Sequence, residues 1–249
     1  MADESPHLIP ETSLHSTPHA DHDYSPRCPF CVIAHTYKAI PPTSAERNPA
    51  LEPEQLDPPS YVLYSSEHVI AFLDIMPLTR GHVLVAPRKH RVKVGDLSPD
   101  EGAEIGRVLP LLSRSVMKAV MPDIPHQKVD YNVVQNNGPG AAQVVPHVHF
   151  HIVPRPPLNY VTPKESKSKS ETQYPPNAQP TGFNRTRILF GRGMRDDLDY
   201  DDAAVLVEDM RRCIREEWEA SSAGKREAKV EQDKSSVGNP EQRKGAWKV

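Results

Sequence analysis

Short apolar runs separated by polar breaks govern the reading of this chain. Residues 61–64 (YVLY) and 69–73 (VIAFL) are β-rich and flank Ser65-Ser66-Glu67-His68, which predicts a hairpin. Gly81 introduces a further strand over 82–86 that stops at Pro87, and 128–135 reads as another. Between them, Ser98-Pro99-Asp100-Glu101 supplies a cap, a proline at the first helical position and a capping-box glutamate. Ile105, Val108, Leu109, Leu112 and Val116 follow at helical spacing, with Pro110 expected to kink the helix. In PHVHFHIVPR the alternation is strict: a strand sends His147, His149 and His151 to one side and Val148, Phe150 and Ile152 to the other. Residues 187–190 read as a short strand and 201–220 as a helix, acidic at its start and carrying Arg211, Arg212 and Arg215 towards its end. The pattern predicts an α+β domain: an antiparallel sheet, one main helix and a C-terminal helix.

The intervening stretches are expected to be unpacked. Residues 1–24 carry few apolar groups and read as a disordered arm. The domain then covers 25–155, with a Pro-rich insertion or surface loop near 41–59. A disordered linker follows over 156–183, then a strand and helix packing on the domain over 184–220, then a disordered charged tail over 221–249. Only 37% of the 249 residues are hydrophobic and 27 are prolines, which agrees with long arms. A formal net charge of -3 provides no global basic field, so no nucleic-acid polymer is expected and any anionic ligand is held locally. Neither a signal peptide nor a membrane span is read, so the expected location is cytoplasmic or nuclear.

Three alternating imidazoles give a nucleophile, a proton donor and a metal ligand one address, because histidine titrates near neutrality. The loop before them, Gln135 to Gln143, offers side-chain amides and backbone N–H groups able to approach a phosphate closely. Cys28-Pro-Phe-Cys31 is a metal or redox pair in a reducing compartment. A catalytic zinc of the HxHxDH type would need an aspartate just before a histidine, where this chain has Phe150 before His151.

On HVHFHIV, FLDIMPLTRGHVLVAPRKH, VVQNNG and CPFC, in that order, the chain resembles the histidine triad superfamily over residues 28–154. The resemblance implies that His149 attacks the α-phosphorus of a purine nucleotide conjugate, a phosphoramidate or a dinucleoside polyphosphate, to form a covalent nucleotidyl-imidazole that water resolves to a nucleoside monophosphate. It implies that His151 steadies phosphate and leaving group, that His147 and His82 complete the active-site histidines, that Asp74 accepts the ribose hydroxyls, and that Asn136 and Gln143 bond phosphate. It also implies a structural zinc on Cys28, Cys31, His90 and His147, a homodimer, and no organic cofactor. His151 favours hydrolysis over transfer, since the transferase branch has glutamine there. CPFC and FLDI resemble the Hint-like group; the fragile-histidine-triad branch stays open. Val144 departs from the family's Ser or Thr, which keeps in view a catalytically weak nucleotide sensor or scaffold. Arg192 and Arg195 are candidates to reach a polyphosphate against the reading of a solvated basic turn.

Overall fold

The computed structural model describes residues 23–157, 160, 195 and 197–236, with side chains to residue 222. The expected 187–190 strand and Arg192 fall outside the described residues. Five strands, β1 (Val62–Ser65), β2 (Val69–Leu73), β3 (Val83–Pro87), β4 (Asp130–Gln135) and β5 (Phe150–Arg155), form one sheet in the order β1-β2-β3-β5-β4. Every neighbouring pair is antiparallel. Three α-helices accompany it among the described residues: α1 (Pro29–Thr36), α2 (Pro99–Val120) and α3 (Tyr200–Ser236).

Both faces of the sheet are covered, so β1, β2 and β3 are buried at every position and read as unbroken apolar runs, not alternating ones. On one face, Ala71, Leu73, Val83, Val85 and Ile152 pack under Ile105, Val108, Leu112 and Val116 of α2 and Leu206, Met210 and Ile214 of α3. On the other, Ile70, Phe72, Leu84 and Ala86 meet Phe30 and Cys31 of α1 together with Tyr37 and Leu51. His151 is in register with Leu84, which is in register with Phe72. The site therefore grows out of a dry apolar face, with side chains of both kinds in one row.

Helix α2 starts where its capping box dictates. Ser98 Oγ accepts from Glu101 N at 3.2 Å, and Glu101 Oε2 accepts from Ser98 N at 2.8 Å. It runs on as one helix through Pro110.

Two expectations are corrected. The 41–59 stretch is not a loose surface loop: three short turns, at Pro42–Ser44, Pro49–Leu51 and Pro53–Gln55, bury Leu51, and Tyr37 Oη donates to the carbonyls of Glu52 and Pro53 at 3.1 and 3.0 Å. Proline set φ for those turns while Leu51 supplied the apolar anchor. The C-terminal helix does not stop near 220 but continues to Ser236, over a stretch in which the helix formers Ala, Lys, Glu, Gln and Arg run from Lys225 to Lys234 with few interruptions. Arg211 therefore lies inside the helix, buried, with Nε on Val62 O at 3.0 Å and Nη2 on Leu51 O at 3.1 Å. It ties α3 to β1 and to the proline-rich turns. No described helix is long and apolar enough to cross a membrane.

Gly81 sets up β3 and so places His82. Its φ of +80° suits glycine, and an added Cβ would sit 2.4 Å from Val120 Cγ2. Gly81→Ala is expected to lower unfolding free energy by about 1–3 kcal/mol; denaturant melts of the two proteins check this, and equal stability would contradict the packing described.

Candidate functional site

The histidine run is only partly a strand. Ladder pairing begins at Phe150, so His151 lies in β5, while His147 stands in a bend and His149 in the short segment between that bend and the strand. That segment is held by Val148 N donating to Arg91 O at 2.6 Å. All three rings are buried, with exposures of 0%, 5% and 6% for His147, His149 and His151. The His149 and His151 rings are 4.8 Å apart and tilted edge to face, and His82 lies 5.1 Å beyond His151. Phe30 sets its ring against both His147 and His149, at 5.7 and 5.1 Å.

Main-chain groups fix the tautomers. The carbonyl of His147 is 2.6 Å from His149 Nδ1; a carbonyl only accepts, so Nδ1 carries the hydrogen and Nε2 keeps its lone pair. Leu78 N donates to His82 Nδ1 at 3.2 Å, which places the His82 hydrogen on Nε2. That Nε2–H donates to His151 Nδ1 at 3.0 Å, leaving His151 with its hydrogen on Nε2. Two adjacent imidazoles are thus opposite in character, one a base and nucleophile, the other a donor. Burial pushes His149 below the usual histidine range, His151 to about 3 and His82 well down, so the neutral forms on which these tautomers depend prevail at neutral pH.

Asp74 closes the far side. Its Oδ1 accepts from Met76 N at 2.9 Å and its Oδ2 from Arg195 Nη1 at 2.9 Å. The approach of Oδ2 to His82 Nδ1 at 3.4 Å is not an ion pair when His82 is neutral. Burial raises the Asp74 carboxyl, outweighing the Met76 amide and the Arg195 charge that lower it.

Gln143 turns inward. Its Oε1 accepts from Gly138 N at 2.6 Å, and its Nε2 donates to Val92 O at 2.7 Å and His147 O at 3.1 Å. The loop is folded about it, with Gly138 at φ +87° and Ala142 in the left-handed region at φ +67°. Asn136 stands half-buried at the loop's start, and Val144 is 90% exposed.

Cys28, Cys31, His90 and His147 place their ligand atoms within 4.8 Å of one another. Cys28 Sγ lies 3.3 Å from His147 Nδ1, and Cys31 Sγ lies 3.2 Å from His90 Nδ1 and 3.6 Å from His147 Nδ1. A zinc tetrahedron with Zn–S of about 2.3 Å and Zn–N of about 2.0 Å has S···N edges of about 3.6 Å, so the donor set fits. The His147 tautomer fits too: Nε2 donates to Pro87 O at 2.9 Å, which points the Nδ1 lone pair at the thiols. A hydrogen bond from Cys31 draws the Cys28 thiol well below its ordinary range, and the same pairing pushes Cys31 up. A second grouping, Asp74, His82 and His151, is of another kind. Both His82 nitrogens are already committed, so it is a hydrogen-bonded relay.

The residues that the sequence singles out, His82, His147, His149, His151, Asp74, Gln143 and the Cys/His set, lie together. Sequence reasoning missed Phe30, whose ring lies against His147 and His149 from between the two cysteines. It also missed the carbonyls of His147 and Pro87 and the Leu78 amide, since main-chain groups leave no mark in residue types.

Residues 55–158 match the family model described as the HIT domain. The adenosine 5'-monophosphoramidase hnt1 of Schizosaccharomyces pombe is 40% identical over 125 residues, covering 46% of this chain and 86% of that protein. The adenylylsulfatase HINT3 of Arabidopsis thaliana is 34% identical over 97 residues, covering 39% of this chain and 46% of that protein. A hypothetical histidine triad nucleotide-binding protein from Sulfolobus tokodaii has the same fold, with a TM-score of 0.51 and 24% identity over 76% of this chain and 93% of that one.

Nitrogen-15 NMR of labelled imidazoles at neutral pH is expected to show His149 protonated on Nδ1, and His82 and His151 protonated on Nε2. Finding His149 with its proton on Nε2 would contradict the site as described.

Proposed function

Since the chain belongs to the histidine triad (HIT) family, we propose that it is a nucleotide hydrolase acting at the α-phosphorus of a purine nucleotide conjugate, with an adenosine phosphoramidate as the leading substrate class. The observation that carries this reading is the 2.6 Å bond from His149 Nδ1 to its neighbour's carbonyl, which leaves a lone pair on Nε2 beside the donor of His151. The fission-yeast and Arabidopsis relatives, a phosphoramidase and an adenylylsulfatase, support it.

In the first step His149 Nε2 attacks the α-phosphorus. A P–N bond forms as the bond to the leaving group breaks, and the departing nitrogen takes the proton from His151 Nε2–H, so that it leaves as a neutral amine. Positive charge appears on the His149 ring, where the His147 carbonyl already accepts from Nδ1–H and stabilises it. In the second step water attacks phosphorus and returns a proton to His151 Nε2 as the P–N bond to His149 breaks, and the nucleoside monophosphate leaves with both imidazoles neutral again. The rings of His147 and Phe30 exclude solvent behind the nucleophile, and Asp74 receives the ribose hydroxyls.

Cys28, Cys31, His90 and His147 hold a structural zinc in this reading. A bound zinc supplies a closed four-ligand crosslink between α1 and the histidine run. No organic cofactor enters the scheme. The homodimer is proposed as well: β4 ends the sheet and exposes Val133 on its surface. A sensor or scaffold of the same fold is the second reading, favoured by Gln143 being spent on the loop and by Val144 lacking a hydroxyl.

Turnover on adenosine phosphoramidate, adenylyl sulfate and diadenosine tetraphosphate decides between them. Parent activity that falls by about three orders of magnitude in His149→Ala, with adenosine monophosphate still bound, is the expected result; a parent protein that binds nucleotide without turning any of them over would establish the sensor. For the metal, elemental analysis is expected to give one zinc per chain, and chelation or Cys31→Ser to lower the melting temperature by several degrees. A fully stable, zinc-free preparation would refute the crosslink.

A further inference from the structure

Both amide hydrogens of the buried Gln143 side chain are committed inside the protein. One goes to Val92 O at 2.7 Å and the other to His147 O at 3.1 Å, while Oε1 accepts from Gly138 N at 2.6 Å. The amide cannot be turned over, because a flipped group would set its NH2 against the Gly138 N–H and its oxygen against two carbonyls. Phosphate oxygens accept hydrogens, so a phosphate finds no free donor on this side chain.

What the side chain does hold is the peptide unit between His147 and Val148. Its N–H end is fixed by Val148 N donating to Arg91 O at 2.6 Å. Its C=O end is fixed by Gln143, which bridges the carbonyl oxygens of His147 and Val92, two acceptors that could not bond each other. The second lone pair of His147 O receives His149 Nδ1–H at 2.6 Å, and a bond that short depends on where the oxygen stands. Without Gln143, the C=O end of the peptide would be left with only the ring that it orients. The loop itself does not need the side chain to keep its shape. Ala141 N and Gln143 N donate to Gly138 O at 3.0 and 3.2 Å, Ala142 N donates to Pro139 O at 3.0 Å, and Val94 N donates to Asn137 Oδ1 at 2.8 Å.

Resting on the hydrolase reading above, we propose that Gln143 is a positioning residue, which serves turnover through the His147 carbonyl and not by touching phosphate. It keeps the oxygen where His149 Nδ1–H meets it, and so keeps the Nε2 lone pair free and aimed. A small tilt of that peptide would lengthen the bond, admit the other tautomer and swing Nε2 off its line of attack.

Gln143→Met in the full-length protein tests this, since methionine matches glutamine in length and makes none of the side chain's bonds. Nitrogen-15 NMR at neutral pH is expected to show His149 passing from the Nδ1–H form to a mixture of both tautomers. Calorimetric affinity for adenosine monophosphate is expected to stay within about threefold of the parent, while kcat on adenosine phosphoramidate falls about tenfold with little change in KM. Gln143→Asn keeps an amide but is one methylene too short to reach Gly138, Val92 and His147 together; it is expected to shift the tautomer the same way, and it serves if the methionine variant does not fold. A loss of adenosine monophosphate affinity of about tenfold would make Gln143 a phosphate contact and overturn the proposal. So would a lower melting temperature with tautomer and kcat unmoved, which would make the side chain only a latch for the loop, and so would a tautomer shift that leaves kcat unchanged. A parent that binds adenosine monophosphate but turns nothing over removes the hydrolase reading, and the tautomer measurement then still decides whether Gln143 holds His149.

Discussion

The carbonyl oxygen of His147 is the point on which the site turns. It accepts from His149 Nδ1 at 2.6 Å and from Gln143 Nε2 at 3.1 Å, so one main-chain group sets the His149 tautomer and is itself held by the loop that faces it. A neutral imidazole in water exchanges tautomers freely; buried and bonded in this way, it keeps one. The same residue contributes its ring to the Cys28, Cys31 and His90 cluster. His147 therefore joins the cysteine cluster by its side chain and positions the His149 ring by its backbone. Its ring is fixed in turn by Pro87 O, at the end of β3.

That arrangement needs a sheet covered on both faces. Helices α2 and α3 bury one face, and α1 with the proline-rich turns buries the other, so His151 sits in a dry row with Leu84 and Phe72. Low solvent access lowers the pKa of each imidazole and strengthens each hydrogen bond in the relay from the Leu78 amide through His82 to His151. Arg211 shows how far the support extends. A buried guanidinium on α3 bonds the carbonyls of Val62 and Leu51, joining the C-terminal helix to the sheet and to the proline-rich turns.

Much of this was legible in the residues. The runs at 61–64, 69–73 and 82–86 and the capping box at Ser98 each carry a local physical signal and became the element they implied, while the alternation of His147, His149 and His151 predicted a strand that begins only at Phe150. The proline-rich stretch misled because prolines announce turns without saying whether the turns pack; Leu51 and Leu56 were the strong apolar signals inside it. The helix beyond residue 220 was missed because a charged, apolar-poor sequence looks like a tail even where its Ala, Lys, Glu, Gln and Arg residues favour helix. Gln143 was read as a phosphate contact from its place in the motif, whereas its amide is engaged by Gly138, Val92 and His147, partners fixed only by the loop's backbone path. Arg195 was a candidate, but its partner Asp74 lies 121 positions away, and no local pattern encodes that pairing.

The central claim is that His149 Nε2 is the atom that takes the nucleotide. Rapid acid-sensitive quenching during turnover of an adenosine conjugate, followed by intact and peptide mass analysis under mild conditions, tests it directly. The account predicts a transient adenylyl adduct on the peptide spanning the histidine run, localised to His149. Burst-free turnover with no adduct, or an adduct on another residue, would contradict it.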